Sequence, residues 1–299
     1  MNELTILKRI FWLYYDRLQA NMPDDEYLKK HFRRKVGYEL NLDNPRSFNE
    51  KLQWLKIHDH NLDYIEWCDK VLAKEKASKI MGEEHIVPTL KIYNDVKEIN
   101  LDELPNQFVL KTNHDSGGVV VCKDKDSFDI DKARKYLNVC IQRDYYLAAR
   151  EWPYRNIERH IFAEQYIEET GDGDIVDYKL MIFNGQFRCA FTCTERHLGQ
   201  LKVTFFDKNW NVLPFERKYP KSLIEIKRPN DLSDMVQYAE MIAKDWPFAR
   251  IDFYECNGNL YFGEVTYYPG GGWEPFNPIE WDYKLGEWID LEGIKKIND

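Results

Sequence analysis

The sequence predicts an α+β fold built mainly from antiparallel sheet, with a helical region at its N-terminal end. Three observations carry this. Two tight turn signals, Asn184-Gly185 and Cys256-Asn257-Gly258-Asn259, each join runs rich in β-branched and aromatic residues, the pattern of β-hairpins. Another pair of strand-like runs flanks a polar loop at residues 113–118. Helical apolar spacing is concentrated elsewhere, in the first 60 residues, in residues 129–150 and in Leu232 to Lys244.

A chain of 299 residues, 43% hydrophobic and 15% aromatic, is long enough to bury a large core and is not composed like a disordered segment. Its formal charge of −9 argues against nucleic acid or an anionic membrane as the main partner. Of the six cysteines only Cys189 and Cys193 are close, without zinc-site spacing, so reduced core cysteines of a cytoplasmic protein are expected. The start carries acidic residues and only the short apolar run IFWLYY, which is neither a signal peptide nor a membrane span. Leu4, Leu7, Ile10, Phe11, Leu13, Tyr14 and Leu18 fit one helical face, expected to pack on the body. A looser alternative is peripheral docking to the inner membrane face or to a partner complex, helped by Lys29-Lys30 and Arg33-Arg34-Lys35.

Along the chain, Asn49 to Leu55 reads as an amphipathic helix capped near Ser47, followed by a polar turn at His58 to Asn61. One helix is expected from Glu66 to Met81, ending at Gly82 and carrying Lys70 and Lys74 one turn apart, so that one cation or both could face a nucleotide, although lysines on a helix are ordinarily solvated. Val87 to Tyr93 is strand-like, residues 129–150 form a helix, and Glu151-Trp152-Pro153 breaks it. Strands follow at Ile161 to Ile167, Val176 to Phe183, Gln186 to Thr192 and Lys202 to Phe206, then a loop from Pro214 to Pro229. An aromatic-rich end carries a last helix around Asp282 to Asp290. The expected divisions are an N-terminal helical region (1–60), an α/β segment (61–105), a central lobe with the polar loop (106–165) and a C-terminal lobe with the second hairpin (166–299).

Two stretches suggest chemistry. Lys111 stands near the end of a strand, and Ser116-Gly117-Gly118 turns the chain into the next one. Such a loop can donate backbone N–H groups to phosphates while the lysine supplies a point charge. It is not a P-loop, because GxxxxGK[ST] is absent and no helix follows, and most Ser-Gly-Gly turns are merely hairpins. His114 beside it reads either as a phosphate contact or proton carrier or as a plain polar turn residue.

On the hairpin around Asn257-Gly258, Asp252 and Glu264 lie twelve residues apart on opposite arms, so pairing is expected to put both carboxylates on one face. Like charges so placed need a neutralising cation. Mg²⁺ suits them, because it takes one or two carboxylates and completes its shell with nucleotide phosphates and water. Arg250 shares the Asp252 face, and Pro269-Gly270-Gly271-Gly272 is expected to bring backbone N–H groups close to an anionic ligand. Singly these are the charges of a solvated hairpin; in combination they point to a metal and phosphate site.

FNEKLQWLK, Asp69-Lys70, FVLKTNHDSGG, REWPY, DYK, EVTYYPGGG and EWDYKLGEW, spread from about residue 45 to 291, resemble the TupA-like ATP-grasp proteins associated with bacterial polysaccharide and teichuronopeptide assembly. The resemblance implies an ATP-grasp fold, two α+β lobes with antiparallel sheets that clamp ATP, with ATP and Mg²⁺ as cofactors. It assigns Lys70, Lys111 and Lys179 to the nucleotide, Ser116, Gly117 and Gly118 to the loop over the phosphates, and Glu164, Gln165, Tyr166 and Ile167 to the adenine hinge. Glu168, Glu169 and Asp172 compete for the ribose. Among the catalytic residues so implied, Lys111 would contact the α- and β-phosphates, Arg250 would stabilise the transferring phosphoryl group or the tetrahedral intermediate, and Asp252 and Glu264 would hold the metal, with Thr266 standing where many ATP-grasp ligases have a better-coordinating asparagine.

The activity so implied is a carboxylate–amine ligase acting through an acyl phosphate, joining an amino acid or amino sugar to an acidic sugar or polysaccharide intermediate. Trp273, Phe276, Trp281, Tyr283 and Trp288 either line the acceptor side or pack the core. Alternatives are a sugar kinase, a nucleotide-sugar glycosyltransferase, which the absence of a suitably placed DxD disfavours, and a non-catalytic scaffold.

Overall fold

The helices are α1 (Glu3–Leu18), α2 (Asp24–Val36), α3 (Phe48–His58), α4 (Asp63–Cys68), α5 (Lys70–Met81), α6 (Ile130–Gln142), α7 (Tyr146–Ala149), α8 (Leu232–Ile242) and α9 (Glu280–Glu287). The strands are β1 (Thr89–Tyr93), β2 (Phe108–Thr112), β3 (Val119–Cys122), β4 (Ile161–Gln165), β5 (Val176–Phe183), β6 (Gln186–Thr194), β7 (Lys202–Asp207), β8 (Glu216–Arg217), β9 (Phe248–Cys256), β10 (Asn259–Thr266) and β11 (Phe276–Asn277). This computed structural model describes residues 3–167, 176–195 and 199–294. Two compact units form: Met1–Pro23, Asn61–Glu75 and Ile86–Ile167 make the first, and Asp24–His60, Lys76–His85 and Glu168–Asp299 the second.

In the first unit a four-stranded antiparallel sheet, ordered β1-β4-β2-β3, packs with α6. Ala133, Tyr136, Leu137 and Cys140 recur at helical spacing on the buried side of α6, and the last three meet Phe108, Leu110 and Ile161 in one apolar cluster. The expected helix over 129–150 stops at Gln142. Arg143 is extended there (φ −75°, ψ 125°), with its guanidinium tied to Asp16 of α1 by bonds of 2.8 and 2.7 Å. Nor is 66–81 one helix. Asp69 is extended (φ −73°, ψ 112°), and its Oδ1 accepts from the N–H groups of Val71 (2.8 Å) and Leu72 (3.3 Å), so it caps α5 instead of prolonging α4.

The N-terminal helix also differs from expectation. Ile6, Ile10 and Leu13 face the unit's core, while Leu4, Leu7, Phe11, Tyr14 and Leu18 are exposed. Arg9 and Asp16 decide this: both find partners inward, so the face that carries them is the one that packs. Among the described residues no helix is long and apolar enough to cross a membrane.

The second unit is built on a five-stranded antiparallel sheet, ordered β10-β9-β5-β6-β7, and a two-stranded β11-β8 pair, of which β8 falls inside the expected loop. Both hairpin turns form as expected, with Asn184-Gly185 at φ 48° and 73° and Asn257-Gly258 at 52° and 74°, the left-handed pair of a type I′ turn. Phe48 of α3 sits against Phe183, Phe248 and Phe276, at ring-centroid distances of 6.1, 5.0 and 5.9 Å. Ser47 and Glu50 form a capping box at the start of α3.

Two of the motifs, FNEKLQWLK and EWDYKLGEW, meet in one buried joint. Asp282 of α9 is fully buried and accepts from Asn49 N (2.9 Å), Asn49 Nδ2 (2.8 Å) and Tyr38 Oη (2.9 Å). The Pro-Gly-Gly-Gly run belongs to the same assembly. Gln53 Nε2 donates to Gly272 O (2.8 Å) and Lys56 Nζ to Gly271 O (2.7 Å), and a Cβ on Gly272 would run into Gln53. The run is thus packed on α3 through its carbonyls, and the N–H of Gly271 is already taken by Tyr268 O (2.7 Å). Trp273 and Phe276 are buried as well, and core packing accounts for both.

Asn49→Ala removes the side-chain donor that holds Asp282 Oδ2 together with its bond to Glu274 O, and leaves a buried carboxylate short of one partner. Loss of about 2 kcal/mol of stability is expected, read as a lower urea midpoint for tryptophan fluorescence; a change within about 0.5 kcal/mol would contradict the account of this joint.

Candidate active site

Each unit carries a charged cluster on its sheet. In the second unit the cluster depends on a bulge. Cys256 opposes Asn259 across the turn, so regular pairing would set Asp252 opposite Gly263 and send Glu264 to the other face of the sheet. The register shifts between Phe262 and Glu264 instead, and Glu264 becomes the partner of Asp252. Gly263 makes this possible, because a Cβ there would lie 2.9 Å from both Asp252 O and the Tyr254 ring. On the other side of β9, Lys179 is also the register partner of Asp252. Glu264, Asp252 and Lys179 therefore form one row across three neighbouring strands.

Charge holds that row together. Arg250 Nε donates to Asp252 Oδ1 (2.6 Å), and its Nη2 donates to Asp252 Oδ2 (2.7 Å) and Glu264 Oε1 (2.9 Å). Lys179 Nζ donates to Asp252 Oδ2 and contacts Asp177 Oδ2 at 2.7 Å. Burial is the largest influence on Lys179 and Arg250 and works against their charge, but Asp252 together with Glu264 and Asp177 holds both above their ordinary values. Burial likewise pushes Asp252 upward, against the pull of Arg250 and Lys179. The ionised carboxylate is nevertheless the form this geometry holds, since every cation facing it can only donate.

Among the described residues no three His, Cys, Asp or Glu side chains cluster as a ready-made metal cage. The donors of the row still suit a hard cation that brings other ligands with it: two adjacent carboxylates and the hydroxyl of Thr266, whose Oγ1 is 3.4 Å from Glu264 Oε1. Asp252 is 0% exposed, whereas the Glu264 side chain is 40% exposed, so Glu264 is the more open of the two carboxylates.

In the first unit, Glu164 points inward from β4 and meets two lysines, Lys74 of α5 at 2.9 Å and Lys111 of β2. Lys111 reaches it diagonally, because Glu164 pairs with Val109 two residues away. Burial alone would raise the Glu164 pKa, but Lys111 and then Lys74 bring it below the ordinary value. Lys74 is pushed down by burial and by Lys111, only partly countered by Glu164. One carboxylate between two ammonium groups leaves a net positive charge, suited to an anion. The Lys74–Glu164 pair was not evident as a site from sequence; the one signal was a glutamate within the apolar run Ile161-Phe162-Ala163.

The loop at 113–118 lies in the same unit and is braced from within. The Asp115 carboxylate accepts from the Thr112 hydroxyl and from Gly118 N (3.2 Å), and a Cβ on Gly118 would collide with both side chains. Lys70 Nζ donates to Asp115 O (2.6 Å), and Ser116 and Gly117 remain exposed. Lys70 therefore supports the loop backbone. His114 is buried, near Arg143 O (3.1 Å), and burial pushes it down to about 4 in spite of Asp115, so it is neither a phosphate contact nor an exposed turn residue. Gln165 N donates to Pro88 O (3.0 Å), and Lys123 sits over the Tyr166 ring at 5.5 Å, with Ile167 half-buried beyond it. Glu168, Glu169 and Asp172 lie outside the described residues.

Because the folded state depresses the Glu164 pKa, its ion pairs stabilise the protein above the ordinary carboxylate value and are lost as pH falls through the folded value. Glu164→Gln should cost about 3 kcal/mol at pH 7, with the gap to the parent closing in acid. Denaturant unfolding across that range measures it, and a gap independent of pH contradicts the pairing.

The family model described as TupA-like ATPgrasp matches residues 50–290. No curated protein matches the chain. Among solved structures the chain is similar to a D-alanine–D-alanine ligase from Bacillus anthracis complexed with ATP, at 18% identity over 74% of this chain and 57% of that one, TM-score 0.38. It is also similar to a RimK domain ATP-grasp protein from Sphaerobacter thermophilus (10% identity, 81% and 70% covered, TM-score 0.39). A third is the ATP-grasp ligase PsnB complexed with a phosphomimetic variant of its minimal precursor, Mg and ADP (11% identity, 73% and 57% covered, TM-score 0.38). The chain spans little more than half the length of the first and third of these proteins. The family match takes in most of the chain, which therefore belongs to the TupA-like ATP-grasp family.

Proposed function

We propose that this protein is an ATP-dependent carboxylate–amine ligase that amidates an acidic sugar or related carboxylate during bacterial surface polysaccharide assembly. The observation that carries the reading is the row Glu264–Asp252–Lys179 with Arg250 beside it, a pair of carboxylates whose mutual repulsion is already offset by two fixed cations. In this reading Lys111 and Lys74 take phosphate charge, and the exposed Ser116 and Gly117 offer backbone N–H groups. Backbone groups of the last hinge positions, Tyr166 and Ile167, receive the adenine. Glu264 and Asp252, with the Thr266 hydroxyl, would hold Mg²⁺, which supplies neutralising charge to the phosphates when bound. Arg250 stabilises the charge on the transferring phosphoryl group.

The substrate carboxylate attacks the γ-phosphorus and ADP leaves, giving an acyl phosphate. An amine then attacks the acyl carbon, phosphate departs and the amine proton is released, so ATP, acid and amine become ADP, phosphate and amide. No side-chain nucleophile is required. The exposed apolar side chains of α1 support the peripheral part of the reading, in which the protein works beside the membrane face or the enzymes that assemble the polymer.

With Mg²⁺, uronic acids and amino acids supplied together, ADP and free phosphate are expected in equal amounts, falling at least about 100-fold in Asp252→Asn. ADP formed without free phosphate would replace the ligase by a kinase acting on a hydroxyl. Turnover unchanged in the variant would remove Asp252 from the site.

A further inference from the structure

We infer that Arg9, in the N-terminal helix that precedes the family match, is a positioning residue for the loop at 113–118, and that α1 is thereby part of the phosphate-binding apparatus. The inference rests on the proposed role of that loop. Three successive loop carbonyls are each held by a side chain from a different helix. Lys70 of α5 donates to Asp115 O (2.6 Å), Arg9 of α1 to Ser116 O (2.7 Å) and Tyr136 of α6 to Gly117 O (2.5 Å). In a planar trans peptide the N–H of the next residue points opposite to the carbonyl. Fixing the carbonyls of Asp115 and Ser116 therefore directs the N–H groups of Ser116 and Gly117 away from Lys70 and Arg9, on the exposed side of the loop, as an anion-accepting pair.

Arg9 is the member of the three that also fixes the side of the loop. Its Nη1 lies 3.5 Å from Asp115 Oδ2, and its guanidinium stands 5.8 Å from the centre of the Tyr136 ring. A Cβ on Gly117, at φ +84°, would run into Arg9 Nη2, so the glycine is required by the arginine as well as by its backbone angle. A second tie runs through the same helix: Asp16 holds Arg143, whose carbonyl is the partner of the His114 ring. A lysine at position 9 would keep the charge without the fork that reaches both Ser116 and Asp115.

The test compares the intact chain with Arg9→Gln, Arg9→Lys and, as a control on the same helix, Leu13→Ala. Hydrogen exchange of the peptide covering residues 113–122, without nucleotide, should quicken about tenfold in Arg9→Gln, and the Mg-ATP dissociation constant from calorimetry should rise by about the same factor. Arg9→Lys should recover part of both. Leu13→Ala should lower the melting temperature and leave the dissociation constant unchanged. Exchange at the parent rate in Arg9→Gln overturns the positioning role whatever the nucleotide does. Faster exchange with unaltered Mg-ATP affinity overturns the place of α1 in phosphate binding. Faster exchange in a chain whose parent form binds no Mg-ATP instead overturns the functional reading on which the inference rests, and the inference with it.

Discussion

A carboxylate without access to water has to be met by cations, and at Asp252 that need fixes the pairing of three strands. Arg250 comes from the same strand and Lys179 from the neighbour on one side, while Glu264 arrives from the other side only because β10 bulges at Gly263. A slip of one residue in β5 would turn Lys179 to the opposite face and leave Asp252 buried with half its partners. The sheet register and the chemistry of the row are thus one constraint. The two carboxylates of the row are held close, and the more exposed one, Glu264, faces outward.

The first unit meets the opposite condition. There a single carboxylate, Glu164, is shared by Lys74 and Lys111, and the excess is positive. The nearby loop adds backbone dipoles, held in place by Asp115 from inside and by side chains of three helices from outside. Several motifs that mark the family serve neither cluster. Asn49, Asp282, Gln53 and the Gly271-Gly272 backbone are joined to one another, and their chemistry is that of a buried polar joint whose donors and acceptors match. Arg150 of the REWPY motif is likewise turned inward, donating to Gln19 O (2.6 Å) and Met22 O (3.2 Å) behind α1.

Much of the fold was legible because its signals are local. Asn184-Gly185 and Asn257-Gly258 force left-handed turns, Ser47 and Glu50 cap a helix, and apolar spacing marks α6 and α8. What escaped the sequence depends on partners far along the chain. The breaks at Asp69 and Arg143 are made by Asn113 and Asp16, and α1 turns its polar side inward because Arg9 and Asp16 are claimed there. For the hairpin, the separation of Asp252 and Glu264 alone does not place them on one face; the bulge does, and a single glycine in a strand is a weak sign of it. Lys74 reads as a solvated helix charge until Glu164 is seen beside it.

The account's central claim is that Glu264 and Asp252 form a site for a metal-bound nucleotide. Calorimetric titration of ATP with and without Mg²⁺, into the intact chain and into Glu264→Gln, tests it most directly. Mg²⁺ should tighten ATP binding about tenfold or more in the intact chain, and that gain should vanish in the variant while metal-free binding changes little. An equal gain in both proteins, or no ATP binding by the intact chain, would contradict the account.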